Sequence, residues 1–381
     1  MQTLSLKELI PDTVRAYGAL DFDERPEGIS PRRLPDWTRD QVPEMTETML
    51  RMPSGVRLQF VTDATRIGIS FLATNRVMPP RERRPVTFDL EIGGTLHSAS
   101  STIGPTIVLN PATPGEFELI PGEPDTLFFV DLPAGEKSCE LWLPHNAFVE
   151  LRALVLEDGA SIRLAPAESR TKWIHYGSSI SHCMEAEQPG LIWPAVAARR
   201  AGVALQNLGL AGQCHLDQFV ARTIRDADAD IISIKAGINV INFDSMRERV
   251  FTPALHGFLD TVRDGKPETP IVVASPIYCP SAEAHPGPTI ADANGKFVTI
   301  HGHDEIRDGC MSLARTREIM EDVVSRRRDA GDSNLHYLDG LELFGEADAG
   351  DLPDDLHPTP GGYVRMGERF ADQVLGPLVE A

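Results

Sequence analysis

From Lys172 to the end of the chain, strand-like and helix-like runs alternate. The candidate strands are KWIHYG, ALQNLGL, DIISIKAG, PIVVASPI and LHYLDGLELF. Between them lie the candidate helices LIWPAVAARRAG, LDQFVARTIRDA, SMRERVFTPALHGFLDTVRDG and EIRDGCMSLARTREIMEDVVSRRRDAG, and GGYVRMGERFADQVL closes the chain. Parallel strands need long crossovers, and helices supply them. The alternation therefore predicts a three-layer α/β/α domain around a five-stranded parallel sheet. Functional groups on such a sheet collect outside the carboxyl ends of its strands.

The chain before Lys172 has another texture. Short, partly alternating runs such as VRLQFVTD, RIGISFLAT, VTFDLEIGG, FELIPG, TLFFVDL, CELWLP and FVELRALVLE are separated by Pro, Gly and Asp. This pattern predicts an antiparallel, jelly-roll-like β-sandwich. Residues 1 to about 50 are rich in Pro, Arg and Asp without a strong period, and read as an irregular leader to it. The expected division is a sandwich over 1–168 and an α/β domain over 169–381.

Charge and cysteine usage narrow the function. With 36 basic against 56 acidic residues, the net charge of −20 repels phosphate backbones, which excludes nucleic acid as the expected partner. The basic run Arg326-Arg327-Arg328 falls at the end of a helical pattern, where cations suit the dipole. Cys139, Cys183, Cys214, Cys279 and Cys310 are scattered and form no C-x-x-C pair, so reduced thiols are expected. The N-terminal MQTLSLKELIPDTVRAYGAL has no basic segment followed by an apolar core, and no apolar run is long enough to span a bilayer. A cytoplasmic protein without a membrane anchor is the expectation. The loop at 278–302 is long for a compact domain and reads as a lid or a wall. Its HGHDE stretch, with His301 and His303, lacks a further ligand set, so no metal is expected there.

Four segments at predicted strand ends carry the chemistry. Ser178 and Ser179 follow the first strand, Asn207, Gly209 and Gly212 surround the end of the second, and Gly237 and Asn239 follow the third. DLPDDLHP follows the fifth. Together they hold the parts for acyl transfer through a serine ester. A serine hydroxyl needs a base, and His357 can be that base. A carboxylate on its other ring nitrogen would fix the tautomer, and Asp354, Asp355 and Asp351 compete for that place. Backbone N–H groups of the nucleophile and Gly212, with the Asn239 amide, can form an oxyanion hole. His182 and His215 lie near these segments and are expected to pack.

In that order, YGSSIS, NLGLAGQ, GIN and DDLHP resemble the four blocks of the SGNH (GDSL-like) hydrolase superfamily. The resemblance covers about 172–378 and implies a flavodoxin-like sheet and a Ser-His-Asp enzyme. It places the nucleophile on Ser179, with Ser178 where the family usually has Asp. It places the oxyanion hole on the Ser179 and Gly212 backbones and on Asn239, and the last block on Asp354 and His357. A β-sandwich ahead of such a domain is similar to the superfamily's two-domain members. These include carbohydrate esterases, and acyl transfer from a coenzyme A thioester to a hydroxyl of a tetracycline-type polyketide. The expectation is an aryl (salicylyl-like) acyltransferase with no bound cofactor, an acyl-CoA as co-substrate, and an alcohol or water as acceptor. The alternatives are an esterase of sugars or other small molecules and, remotely, a non-catalytic carbohydrate-binding protein.

Overall fold

The computed structural model describes residues 1–110, 113, 115–300 and 303–380. The chain forms two compact units. One comprises Met1–Arg39, Glu47–Ser169 and Glu187–Gly190; the other comprises Asp40–Thr46, Arg170–Ala186 and Leu191–Ala381. The sequence reading draws a single boundary at 168/169. The structure instead exchanges two short segments, 40–46 and 187–190, across it.

The N-terminal unit has an eight-stranded and a six-stranded sheet. Alternating residues of both, among them Leu58, Phe60, Phe71, Phe88, Leu141 and Leu154, form one buried core. Pairing is antiparallel except that Thr106–Leu109 runs parallel to Ile67–Val77. One expectation is corrected here. The first 50 residues are ordered: Gln2–Ser5 pairs with Ala147–Leu156, and Ile29–Arg32 pairs with Asp21–Glu24. Their charges hid the pattern because they pair internally. Arg32 is fully buried and makes a forked contact to Glu47, at 3.0 and 2.8 Å, while its third nitrogen donates to the Leu34 and Pro35 carbonyls. Fork geometry of this kind is what allows an arginine inside. The sequence reading also did not include the strand Thr95–Ser101. It pairs along Val86–Ile92 through the two-residue Gly93-Gly94 turn, a known hairpin signal.

The second unit carries the five predicted parallel strands: β1 (Lys172–Gly177), β2 (Ala204–Gly209), β3 (Ile231–Lys235), β4 (Ile271–Ala274) and β5 (Leu335–Leu338), in the order β2-β1-β3-β4-β5. Nearly all their residues are buried, as a sheet covered on both faces requires. The expected α/β sheet preceded by a β-rich unit is therefore present. The helix predicted over 305–331 is shorter. It runs Leu313–Asp329, starting where Ser312 accepts from the Arg315 N–H. The fifth strand run ends at Leu338 because Asp339 caps a short helix, Gly340–Leu343.

At the β1 end a buried network sets the following turn. The His175 ring bridges Ser233 Oγ and Ser181 Oγ, both at 2.7 Å, and its edge meets Trp193. Burial holds its pKa well below the usual range, so the ring is neutral, donating at one nitrogen and accepting at the other. Ser181 thus ties the short helix α1 (Ser179–His182) to the sheet. A Cβ on Gly209 would lie 2.4 Å from the Ser181 carbonyl carbon, so only glycine lets β2 end against α1.

Candidate active site

Ser179 is the first residue of α1, leaving its N–H without an intrahelical acceptor. Its Oγ lies 2.9 Å from His357 Nε2, and His357 Nδ1 lies 2.8 Å from Asp354 Oδ2. Ser179 is partly exposed, whereas Ser178 is fully buried and its Oγ has no hydrogen-bond partner among the described residues.

The Asp-Asp-Leu-His turn explains the three-residue spacing. Asp354 Oδ1 accepts from the Leu356 N–H at 3.1 Å and the His357 N–H at 2.7 Å, leaving Oδ2 for the ring. Burial pushes this carboxyl up, but the ring contact and the two backbone donors outweigh it and hold the pKa at about 2. An ionised carboxylate only accepts, so Nδ1 carries the proton and Nε2 is free to accept from Ser179. The rival carboxylates are engaged elsewhere. Asp355, with a left-handed φ of 62°, pairs with Lys296 at 3.0 Å, and Asp351 pairs with Arg365.

The donor side is tied together by hydrogen bonds. The Leu210 N–H donates to the Gly177 carbonyl at 2.8 Å, and Asn207 Nδ2 to the Ser181 carbonyl at 3.0 Å. Gly212 turns the loop at φ +70°. Asn239, buried at the start of a short helix after β3, accepts from the Cys214 N–H through Oδ1 at 3.0 Å. That contact fixes the amide and directs Nδ2 the other way. His215 packs rather than joining the reacting groups: Nε2 contacts the Gly212 carbonyl at 3.2 Å and Nδ1 contacts Ser245 Oγ at 2.9 Å. His182 is fully buried.

Sequence reasoning missed several neighbours. The 278–302 segment contains a hairpin, Thr289–Ala291 with Phe297–Thr299. The Phe297 N–H donates to the Asp354 carbonyl at 3.0 Å, and its ring stands edge-on to His357 at 5.5 Å. This segment is a wall pinned to the histidine turn. Phe243 is 60% exposed, and its ring lies 3.8 Å from where a Gly212 Cβ would be. Glu185 Oε1 lies 3.9 Å from His357 Nδ1. No spacing rule links these residues to the blocks. A lone exposed aromatic after GIN was the one available signal. Of the HGHDE pair, His301 lies outside the described residues. Among the described residues no group of three potential ligands could hold a metal, and no helix is long and apolar enough to cross a membrane.

Comparison with known proteins places the fold among others of its kind. The model of the GDSL-like Lipase/Acylhydrolase family matches residues 171–286. Among solved structures, a salicylyl-acyltransferase, SsfX3, from a tetracycline biosynthetic pathway is 29% identical. That match covers 98% of each chain with a TM-score of 0.80. A putative GDSL-like lipase from Bacteroides ovatus shares the fold at 18% identity and a TM-score of 0.70, over 100% of this chain and 98% of that one. A family two carbohydrate esterase from Clostridium thermocellum shares it at 14% and 0.60, over 94% and 97%. No curated protein sequence matches. Residues 171–286 thus match the GDSL-like Lipase/Acylhydrolase family, and over nearly its whole length the chain is similar in fold to an acyltransferase and to esterase-type structures.

Proposed function

We propose that this GDSL-like enzyme moves an aryl acyl group, salicylyl-like, from a coenzyme A thioester to a hydroxyl of a tetracycline-type polyketide. The observation that carries the chemistry is the hydrogen-bonded chain Asp354–His357–Ser179. Ser179 passes its proton to His357 Nε2 as Oγ attacks the thioester carbonyl. The oxyanion forms against the Ser179 and Gly212 N–H groups and Asn239 Nδ2. The imidazolium then protonates the leaving thiolate. The acceptor hydroxyl gives its proton to the same nitrogen, attacks the Ser179 ester, and Ser179 is regenerated.

Two features support an aryl group and transfer over hydrolysis. Phe243 exposes a ring beside Gly212, where the acyl carbonyl would sit, and offers a stacking surface for a planar group. The hairpin braced on Asp354 and His357 limits water and gives a bulky acceptor a fixed wall. The 29% identity to a salicylyl-acyltransferase across nearly the whole chain points the same way.

The test is product analysis. An aryl-CoA is incubated with the protein, with and without a polyketide alcohol. The ester is expected where the alcohol is present; free acid alone in both tubes overturns the transferase reading and favours an esterase. A second measurement addresses the ring. Phe243→Ala is expected to lower kcat/KM about 10-fold for an aryl thioester and less than about 2-fold for acetyl-CoA. Equal losses on the two donors remove Phe243 from the acyl site.

A further inference from the structure

His357 faces two carboxylates, not one. Asp354 Oδ2 accepts the Nδ1 proton at 2.8 Å, and Glu185 Oε1 stands 3.9 Å from the same nitrogen. Glu185 is itself held in place: its Oε2 accepts from the hydroxyl of Tyr363, a fully buried residue on the helix Pro360–Phe370, at 3.1 Å. The backbone brings it there. α1 stops at Cys183, which takes a left-handed φ of 60°, and the Ala186 N–H returns to the Cys183 carbonyl at 3.0 Å. Glu185 lies in that turn. The segment that starts with the candidate nucleophile therefore ends with a carboxylate behind the candidate base.

We infer that Glu185 is a second anchor for His357, a positioning residue that shares the imidazolium charge with Asp354 and takes over the Nδ1 proton when Asp354 cannot accept it. This rests on the proposed roles of Ser179, Asp354 and His357. A movement of about 1 Å turns the 3.9 Å contact into a hydrogen bond. The surrounding groups leave this to the two carboxylates. Tyr363 and Cys183 are kept neutral by burial, which raises both thiol and phenol. Phe297 presents an apolar ring, and the charges of Lys296 and Asp355 pair with one another. Lys235 is the buried cation on the Cys183 side.

The sign of the effect follows from charge. Glu185 favours the imidazolium, so removing its charge eases deprotonation of His357. In Glu185→Gln the acid limb of the kcat/KM profile should move to lower pH, by about one unit. Glu185→Asp keeps the charge and should keep the limb near that of the natural protein.

The experiment uses hydrolysis of a simple aryl ester by the full chain, so that neither the acyl acceptor nor the donor's coenzyme matters. Five variants are compared: Asp354→Asn, Glu185→Gln, Glu185→Asp, the double variant Asp354→Asn with Glu185→Gln, and Ser179→Ala. Loss of the triad carboxylate costs about 10⁴-fold where nothing replaces it. Here Asp354→Asn is expected to cost about 10²–10³-fold. Glu185→Gln should then cost at least 10-fold more in the Asp354→Asn background than alone. An equal cost in both backgrounds, or Gln and Asp variants with the same acid limb, overturns the inference. Failure of the underlying reading looks different: Ser179→Ala would then be as active as the natural protein.

Discussion

Ser179→Ala abolishes the covalent acyl-enzyme, and Ser178→Ala leaves most of it. Ser179 is partly exposed, and its Oγ lies 2.9 Å from Nε2, the unprotonated nitrogen of His357. Without it the base has no nucleophile to activate. Turnover should fall by about 10⁶, to the residue of catalysis that an oxyanion hole and binding supply alone. Ser178 differs in every respect that matters. Its side chain is fully buried, no partner for its Oγ lies among the described residues, and it makes no side-chain cap for the helix it precedes. Removing a buried hydroxyl that has no partner among the described residues costs little and can stabilise, because desolvation without compensation is removed with it. Intact-mass measurement after a fluorophosphonate or an aryl ester reads both variants directly. An adduct that survives Ser179→Ala and disappears in Ser178→Ala reverses the assignment.

The adjacency of these serines shows what the sequence could carry. The pattern Asp-x-x-His is legible because its geometry is local: three hydrogen bonds from a single turn bind Asp354 to residues two and three positions away. The strands that bring the blocks to one edge are legible for a similar reason, since a buried parallel strand is apolar throughout. Glu185, Phe243 and Phe297 are of another kind. Their places depend on a left-handed cysteine, a helix end and a hairpin braced on a distant loop, none of which leaves a periodic trace. The first 50 residues were opaque because Arg32, Arg39, Asp21, Asp23 and Glu47 compensate one another in space. A reading by composition counts such charges as solvated.

Asn239→Ala should lower kcat by about 10²–10³, with a smaller change in KM, as for loss of one oxyanion donor. The expectation depends on orientation. An asparagine amide has one acceptor end and one donor end, and Oδ1 of Asn239 is committed to the Cys214 N–H at 3.0 Å. The donor end is therefore preset before substrate arrives. A preset dipole in a buried site contributes most where charge develops, at the tetrahedral oxyanion, and little to the uncharged ester that precedes it. The same contact braces the loop that carries Gly212, so a second variant separates the two effects. Asn239→Asp keeps the acceptor for Cys214 and replaces the donor by a carboxylate oxygen. It should lose at least as much turnover as the alanine, while its thermal stability falls by the cost of burying the new carboxylate. Asn239→Asp with turnover near that of the natural protein would show that the amide braces the Gly212 loop and takes no part in stabilising the oxyanion.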